Sequence, residues 1–295
     1  NYIRTFIPSS DYQRTFTNAF NQTIQLDPAR SWSGSEGLKK LVSRFALNSS
    51  IRIDRKTTHE NSIDRFNPFL LEVGDTSLLS LGSNFRSSLF FNRTNPGVGV
   101  TYTFQDSRNK VLLTNGFESR DISFHEIQGR VLIASAVTFK ANFKTGRKAN
   151  SSDFLSSRNY RLAEQALEGD LSWQPSPAFR ASFVGAWVAK SNAVEFGGET
   201  SSSTTIGAAL KLSDISKGSF QAEFNYVAID YTGIGNNSLA FEMLQGLLPG
   251  NNFTWTAGAQ RKVSQNLQIN VIYNGRSSEG SRVVHSGGAQ VRAFF

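Results

Sequence analysis

No cysteine occurs among the 295 residues, so no disulfide framework, thiolate chemistry or Cys-ligated zinc is available to this chain. Methionine appears once and proline seven times against 24 phenylalanines, a composition skewed toward strand formers. No apolar run approaches the ~18 residues of a spanning helix, which excludes a membrane helix. A membrane sheet is not excluded, because it dilutes its lipid-facing residues twofold with polar ones. There is no GxxxxGK[ST] loop, no HExxH and no EF-hand run, so neither a metal nor a cofactor is expected. The net charge of +8 would suit nucleic acid, but the bases are spread along the chain and form no basic helix or tail, so no nucleic-acid partner is expected. No basic-then-apolar leader precedes Asn1, as expected of a mature protein or the C-terminal part of a longer chain, with 1–11 as a lead-in.

What is present is period-2 alternation. In 283–295, Val283, His285, Gly287, Ala289, Val291, Ala293 and Phe295 face one way, and Val284, Ser286, Gly288, Gln290, Arg292 and Phe294 the other. In 266–278, Leu267, Ile269, Val271 and Tyr273 alternate with Gln268, Asn270, Asn274 and Arg276. Phe179, Ala181, Phe183 and Trp187 oppose Arg180, Ser182 and Lys190; Val137, Phe139, Ala141 and Phe143 oppose Lys140, Asn142 and Lys144. Short joins at 105–110, 134–137, 174–178, 213–218 and 263–266 alternate with longer polar ones such as 146–159, 190–201 and 232–251.

The final strand, with Ala289, Val291, Ala293 and Phe295, resembles that of bacterial outer-membrane β-barrel proteins, and the segment from Tyr273 to Phe295 is similar to the tail of large Bacteroidota outer-membrane proteins. The resemblance implies an all-β fold, a transmembrane antiparallel up-and-down barrel, as one domain over 1–295 in the outer membrane of a Gram-negative bacterium. It also implies contact with outer-membrane lipid and lipopolysaccharide, and reading of the C-terminal strand by the barrel-insertion machinery. Anchoring the C-terminus in the periplasm and counting backwards gives about fourteen strands: 283–295, 266–278, 251–263, 218–231, 202–213, 178–190, 160–174, 137–147, 124–134, 110–122, 97–105, 77–92, 40–56 and 12–27. An even count puts both ends in the periplasm.

On this register the inward face is cationic. Arg130, Lys140, Lys144, Arg180, Lys190, Lys211, Arg276 and Arg292 point in, with Glu164, Glu168 and Asp170 on one strand between the Lys140/Lys144 and Arg180/Lys190 strands. Opposite charges about 5 Å apart across strands should pair. Such a network either fills a closed interior or forms an ion-selective constriction. Trp173, Trp187, Tyr226, Trp255 and Tyr273 lie near strand ends, where with Phe295 they would form interfacial girdles.

Catalysis has little support. His285 and Ser286 are adjacent on a strand and point to opposite faces, so they cannot share a proton, and only Glu279 lies near in sequence for a protease-like acid pair. A lipid hydrolase or protease is therefore a remote alternative to a non-enzymatic role. Two apolar segments break the pattern. Within 239–248, Phe241, Met243, Leu244 and Leu247 stand in an expected external loop, and either fold back, meet a partner or extend the next strand. Phe66, Phe69 and Leu70 stand in a long join assigned to the periplasm, a docking element, a small plug or a sign that the strand count is off by one there. The reading is an anchor and scaffold subunit of a larger envelope complex for secretion, outer-membrane assembly or nutrient uptake; the alternative is a porin-like channel with weak anion preference.

Overall fold

Alternating residues satisfy a strand only if successive side chains meet different surroundings, and the chain is built almost wholly of such strands. The computed structural model describes residues 2–3, 13–28, 37, 42–58, 78–214, 217–234 and 237–294. A two-stranded piece, β1 (Tyr2–Ile3) with β2 (Gln13–Arg14), precedes a 13-stranded sheet. The sheet comprises β3 (Phe16–Leu26), β4 (Phe45–Thr57), β5 (Leu78–Phe91), β6 (Val98–Leu113), β7 (Gly116–Ala134), β8 (Val137–Ser152), β9 (Tyr160–Ser176), β10 (Phe179–Asn192), β11 (Thr200–Asp214), β12 (Gly218–Tyr231), β13 (Gly250–Ser264), β14 (Leu267–Ser278) and β15 (Val284–Ala293). Each strand pairs with its sequence neighbours, an antiparallel up-and-down meander. One short α-helix, α1 (Ser238–Leu244), interrupts it among the described residues. No described helix is long and apolar enough to cross a membrane.

Among the described residues the sheet has 13 strands where about fourteen are expected. The segments 97–105, 110–122 and 124–134 are two strands, β6 and β7. The polar run 105–110 is no turn. Asp106 and Arg108, two apart and therefore on one face, pair at 3.0 Å within the extended strand. The turn falls instead at Thr114 and Asn115, before Gly116, whose φ of +126° suits glycine alone. With 13 strands among the described residues, the even-number argument for both chain ends on one side has no support. The join 58–77 also moves into the alternate set containing 153–159, 193–199, 232–249 and 279–283, opposite the set 135–136, 177–178, 215–217 and 265–266.

The sheet divides into two compact units that cut across β6 to β9: Asn1–Arg93, Thr101–Glu126 and Thr145–Ala163 in one, Thr94–Val100, Ile127–Lys144 and Glu164–Phe295 in the other. In the first unit, Ile53, Leu78 and Leu81 form a small buried cluster with Ile51 and Phe117 against it. In the second, Ile229, Ala240 and Leu244 do the same with Val227, Tyr231 and Leu247.

Register in the second unit sorts the side chains by face across six strands. Phe183 pairs with Ala208, Ala208 with Phe224, Phe224 with Trp255, Trp255 with Gly275, and Gly275 with His285. The neighbouring rows on that face are Ala181, Leu210, Ala222, Ala257, Tyr273 and Gly287, then Gly185, Ile206, Tyr226, Phe253, Ser277. This apolar face is exposed: Phe183 by 64% and Ile206 by 62%. The opposite face carries Arg180, Ser182, Lys211, Gln221, Glu223, Thr256, Asn274 and Arg276. A soluble sheet would bury the first face and expose the second.

Candidate functional site

Within the expected charge network, Lys144 and Glu164 form an ion pair. Lys144 Nζ donates to Glu164 Oε1 at 3.0 Å, with both side chains largely withdrawn from solvent. Three of the arginines bond to neutral oxygens. Arg180 Nε donates to Ser172 Oγ at 2.7 Å, Arg130 Nη2 to the Asn95 carbonyl at 2.7 Å, and Arg276 Nη1 to the Gly246 carbonyl at 3.2 Å. Asp170 Oδ1, Asn142 Oδ1 and Arg130 Nε are buried without a hydrogen-bond partner. Lys140 and Glu168 lie on β8 and β9, and Arg292 on β15 pairs in register with Gln268. The acids and bases thus share a face, but backbone carbonyls and a hydroxyl take up Arg130, Arg180, Lys190 and Arg276, which the sequence assigned to carboxylates.

The carbonyls that hold Arg276 and Lys190 come from the segment after β12. Asn237 accepts a hydrogen bond from the Ala240 amide at 2.6 Å and so caps α1. Leu239, Ala240, Met243 and Leu244 form the buried side of the helix, and Ala240 and Leu244 pack on Ile229. At its other end Lys190, only 5% exposed, places Nζ 3.1 Å from the carbonyl oxygens of both Glu242 and Met243, a cation at the negative end of the helix. Gln245 at φ 55° and Gly246 at φ 77° turn the chain left-handed, and the Arg276 bond to Gly246 follows. Below them Asn252, 0% exposed, donates to the carbonyls of Leu248 at 2.8 Å, Gly250 at 3.1 Å and Val227 at 3.3 Å, and accepts from the Leu248 amide at 3.3 Å. Asn252 and Val227 are register partners, so one amide side chain ties the returning loop to two strands.

Of the candidate partner residues, Met243 and Leu244 are buried within the chain, Leu247 is half-buried against the same cluster, and Phe241 is 70% exposed on the outer side of α1. The segment folds back and leaves one aromatic knob. Phe66, Phe69, Leu70 and Phe295 lie outside the described residues.

The aromatics show a regularity that sequence reading missed. Trp187, Tyr226, Trp255 and Tyr273 each stand five residues from the strand end on the long-join side. All four belong to the apolar face, and the polar atoms of three reach toward that end. Trp187 Nε1 donates to Ser202 Oγ at 3.2 Å, Tyr226 Oη to Asn251 Oδ1 at 2.6 Å, and Tyr273 Oη lies 2.8 Å from His285 Nδ1. Trp255 lies over Gly275, where a Cβ would enter the indole, and beside the His285 ring at 6.0 Å. Trp173 stands near the opposite end of β9, edge-on to Phe179 at 5.4 Å. The Tyr273–His285 pair, stacked at 13°, recurs in the first unit as Tyr102 Oη and His125 Nδ1 at 2.8 Å, beside Phe104. His285 is thus held by a tyrosine on its own face, while Ser286 pairs with Asn274 on the other.

The chain matches no family model and no curated protein sequence.

Proposed function

We propose that the chain is the membrane barrel of an envelope protein: a sheet that closes on itself in the outer membrane of a Gram-negative bacterium and serves as a non-enzymatic anchor and scaffold in a larger complex. The observation that carries this reading is the exposed apolar face, continuous in register over six strands and bounded on one side by four aromatics at equal distance from the strand ends. Aromatics with an apolar body and a polar tip settle at a membrane interface. Burying the face in lipid removes the cost of leaving it in water; Phe183 alone represents about 2 kcal/mol. The family resemblance adds the barrel-insertion machinery and lipopolysaccharide as partners.

The scaffold role is supported by α1. A helix pinned by Asn237, Lys190, Arg276 and Asn252 presents Phe241 outward with little freedom left to lose on contact, the arrangement of a preorganised anchor residue. The test is affinity purification from native membranes. Stoichiometric partners that are lost with Phe241→Ala, while heat-modifiable migration on gels is retained, uphold the reading. Purification of the folded chain alone, or partners indifferent to the substitution, contradicts it.

A second reading, a pore with weak anion preference, is favoured by the bases that bond only to neutral groups and so leave the polar face net positive. Steady open levels in planar bilayers, with a reversal potential toward anions, would establish it; silence at high voltage would exclude it.

A further inference from the structure

We infer that the polar face of β10 to β13 contains a binding site for a small oxyanion, a phosphate or carboxylate group, held between Arg180 and Lys211. These two bases are direct cross-strand partners. Like charges placed opposite each other on one face of a sheet destabilise it unless something of opposite sign stands between them. No carboxylate does so. Arg180 uses Nε on the Ser172 hydroxyl, and among the described residues its two Nη groups and the Lys211 ammonium have no acceptor. Glu223, the nearest acid in register terms, pairs with Ala209 two residues along the strand, and its Oε1 accepts from Asn225 Nδ2 at 2.7 Å.

The space for a ligand is present. A cleft of about 260 Å³ is lined by Arg180, Ser182, Lys211, Gln221, Glu223 and Thr256 among others. Its floor is low because Ala209 separates Ser182 from Glu223, and because the Gln221 side chain lies over Gly258. Gln221 is the register partner of Lys211, so the two bases and the amide stand in one row. A planar guanidinium fork, an ammonium, an amide and hydroxyls form a donor set matched to tetrahedral or planar oxyanions. The site rests on the second reading above only in requiring that the polar face be open to water.

The test is calorimetric titration of the detergent-purified, heat-modifiable full chain with sodium phosphate, and separately with sodium acetate, at low ionic strength. Saturable 1:1 binding is expected, with phosphate tighter than acetate if the occupant is a phosphate group and the reverse if it is a carboxylate. Arg180→Gln and Lys211→Gln should each weaken it by about tenfold, the effect of removing one charge-assisted contact. Glu223→Gln should tighten it, and Lys262→Gln, outside the cleft lining, should leave it unchanged. Lys211 is exposed, so its substitution leaves the fold intact. Absence of saturable binding to the folded chain, binding by Arg180→Gln or Lys211→Gln as tight as that of the unsubstituted chain, or loss of binding on Glu223→Gln would overturn the assignment. The outcome is independent of partner capture and of conductance, so failure here leaves the scaffold reading standing.

Discussion

Replacing Asn252 with alanine should free the covering helix while leaving the sheet in place. The side chain is wholly buried and faces three carbonyl oxygens and one amide, those of Val227, Leu248, Gly250 and the Leu248 N–H. Its two amide protons can satisfy at most two of those carbonyls well at once, so the loss amounts to two donated bonds and one accepted bond. At about 1 kcal/mol net for each, the substitution removes about 3 kcal/mol from the closed state of the loop. That shifts the opening equilibrium on the order of a hundredfold, and about tenfold if water enters to replace part of the bonding. Hydrogen exchange reads this directly. The amides of Phe241, bonded to Asn237 at 3.1 Å, and of Leu247, bonded to Leu244 at 3.1 Å, should exchange ten to a hundred times faster, by the same estimate. The Ser213 amide, bonded to Ala178 at 2.8 Å in the sheet, should not change. Asn252→Asp should be worse than alanine, because it places an acceptor-only group against carbonyl oxygens. Less than a twofold change at Phe241 and Leu247 would refute the account of what holds the helix.

Gly275→Ala should displace Trp255 from the apolar face, costing about 1–3 kcal/mol, and a shift of tryptophan emission in the folded protein would report it. Gly116→Ala forces φ of +126° on a residue with a Cβ that would also meet Asp153, and should lower stability toward urea by about 1–3 kcal/mol. In a double-mutant cycle, Lys144→Met with Glu164→Gln should show a coupling of about 1–2 kcal/mol, measured by urea unfolding; a coupling near zero would mean that the ion pair is incidental.

The sequence made the strands after β8 legible because two independent signals agreed there. Alternation marked their faces, and Gln174-Pro175-Ser176-Pro177 and Ser216-Lys217-Gly218 marked the turns. The error at β6 and β7 arose where those signals conflicted. Asp106, Arg108 and Lys110 look like loop composition, yet a polar face facing water tolerates charge, and the stronger cue was Asn115-Gly116 between apolar flanks. Helix α1 was also readable in principle. Asn237 as cap, Leu239 with Met243 and Ala240 with Leu244 four apart, and Gly246 past the end are helical spacing, not strand spacing. The charge network was legible as to face but not as to partner. Sequence spacing put Lys190 on the polar side; only the folded loop supplies the carbonyls of Glu242 and Met243 that accept its hydrogen bonds.

The claim on which everything else depends is that the apolar face meets lipid and the polar face does not. Tryptophan quenching by lipids brominated on their acyl chains measures this one side chain at a time. With the four native tryptophans replaced by phenylalanine, Phe183→Trp places a probe on the exposed apolar face, and Ser182→Trp places one beside it on the polar face, in the cleft with room for the ring. In vesicles the account predicts strong quenching at position 183 and none at 182. Equal quenching at both positions, or none at 183, would contradict it.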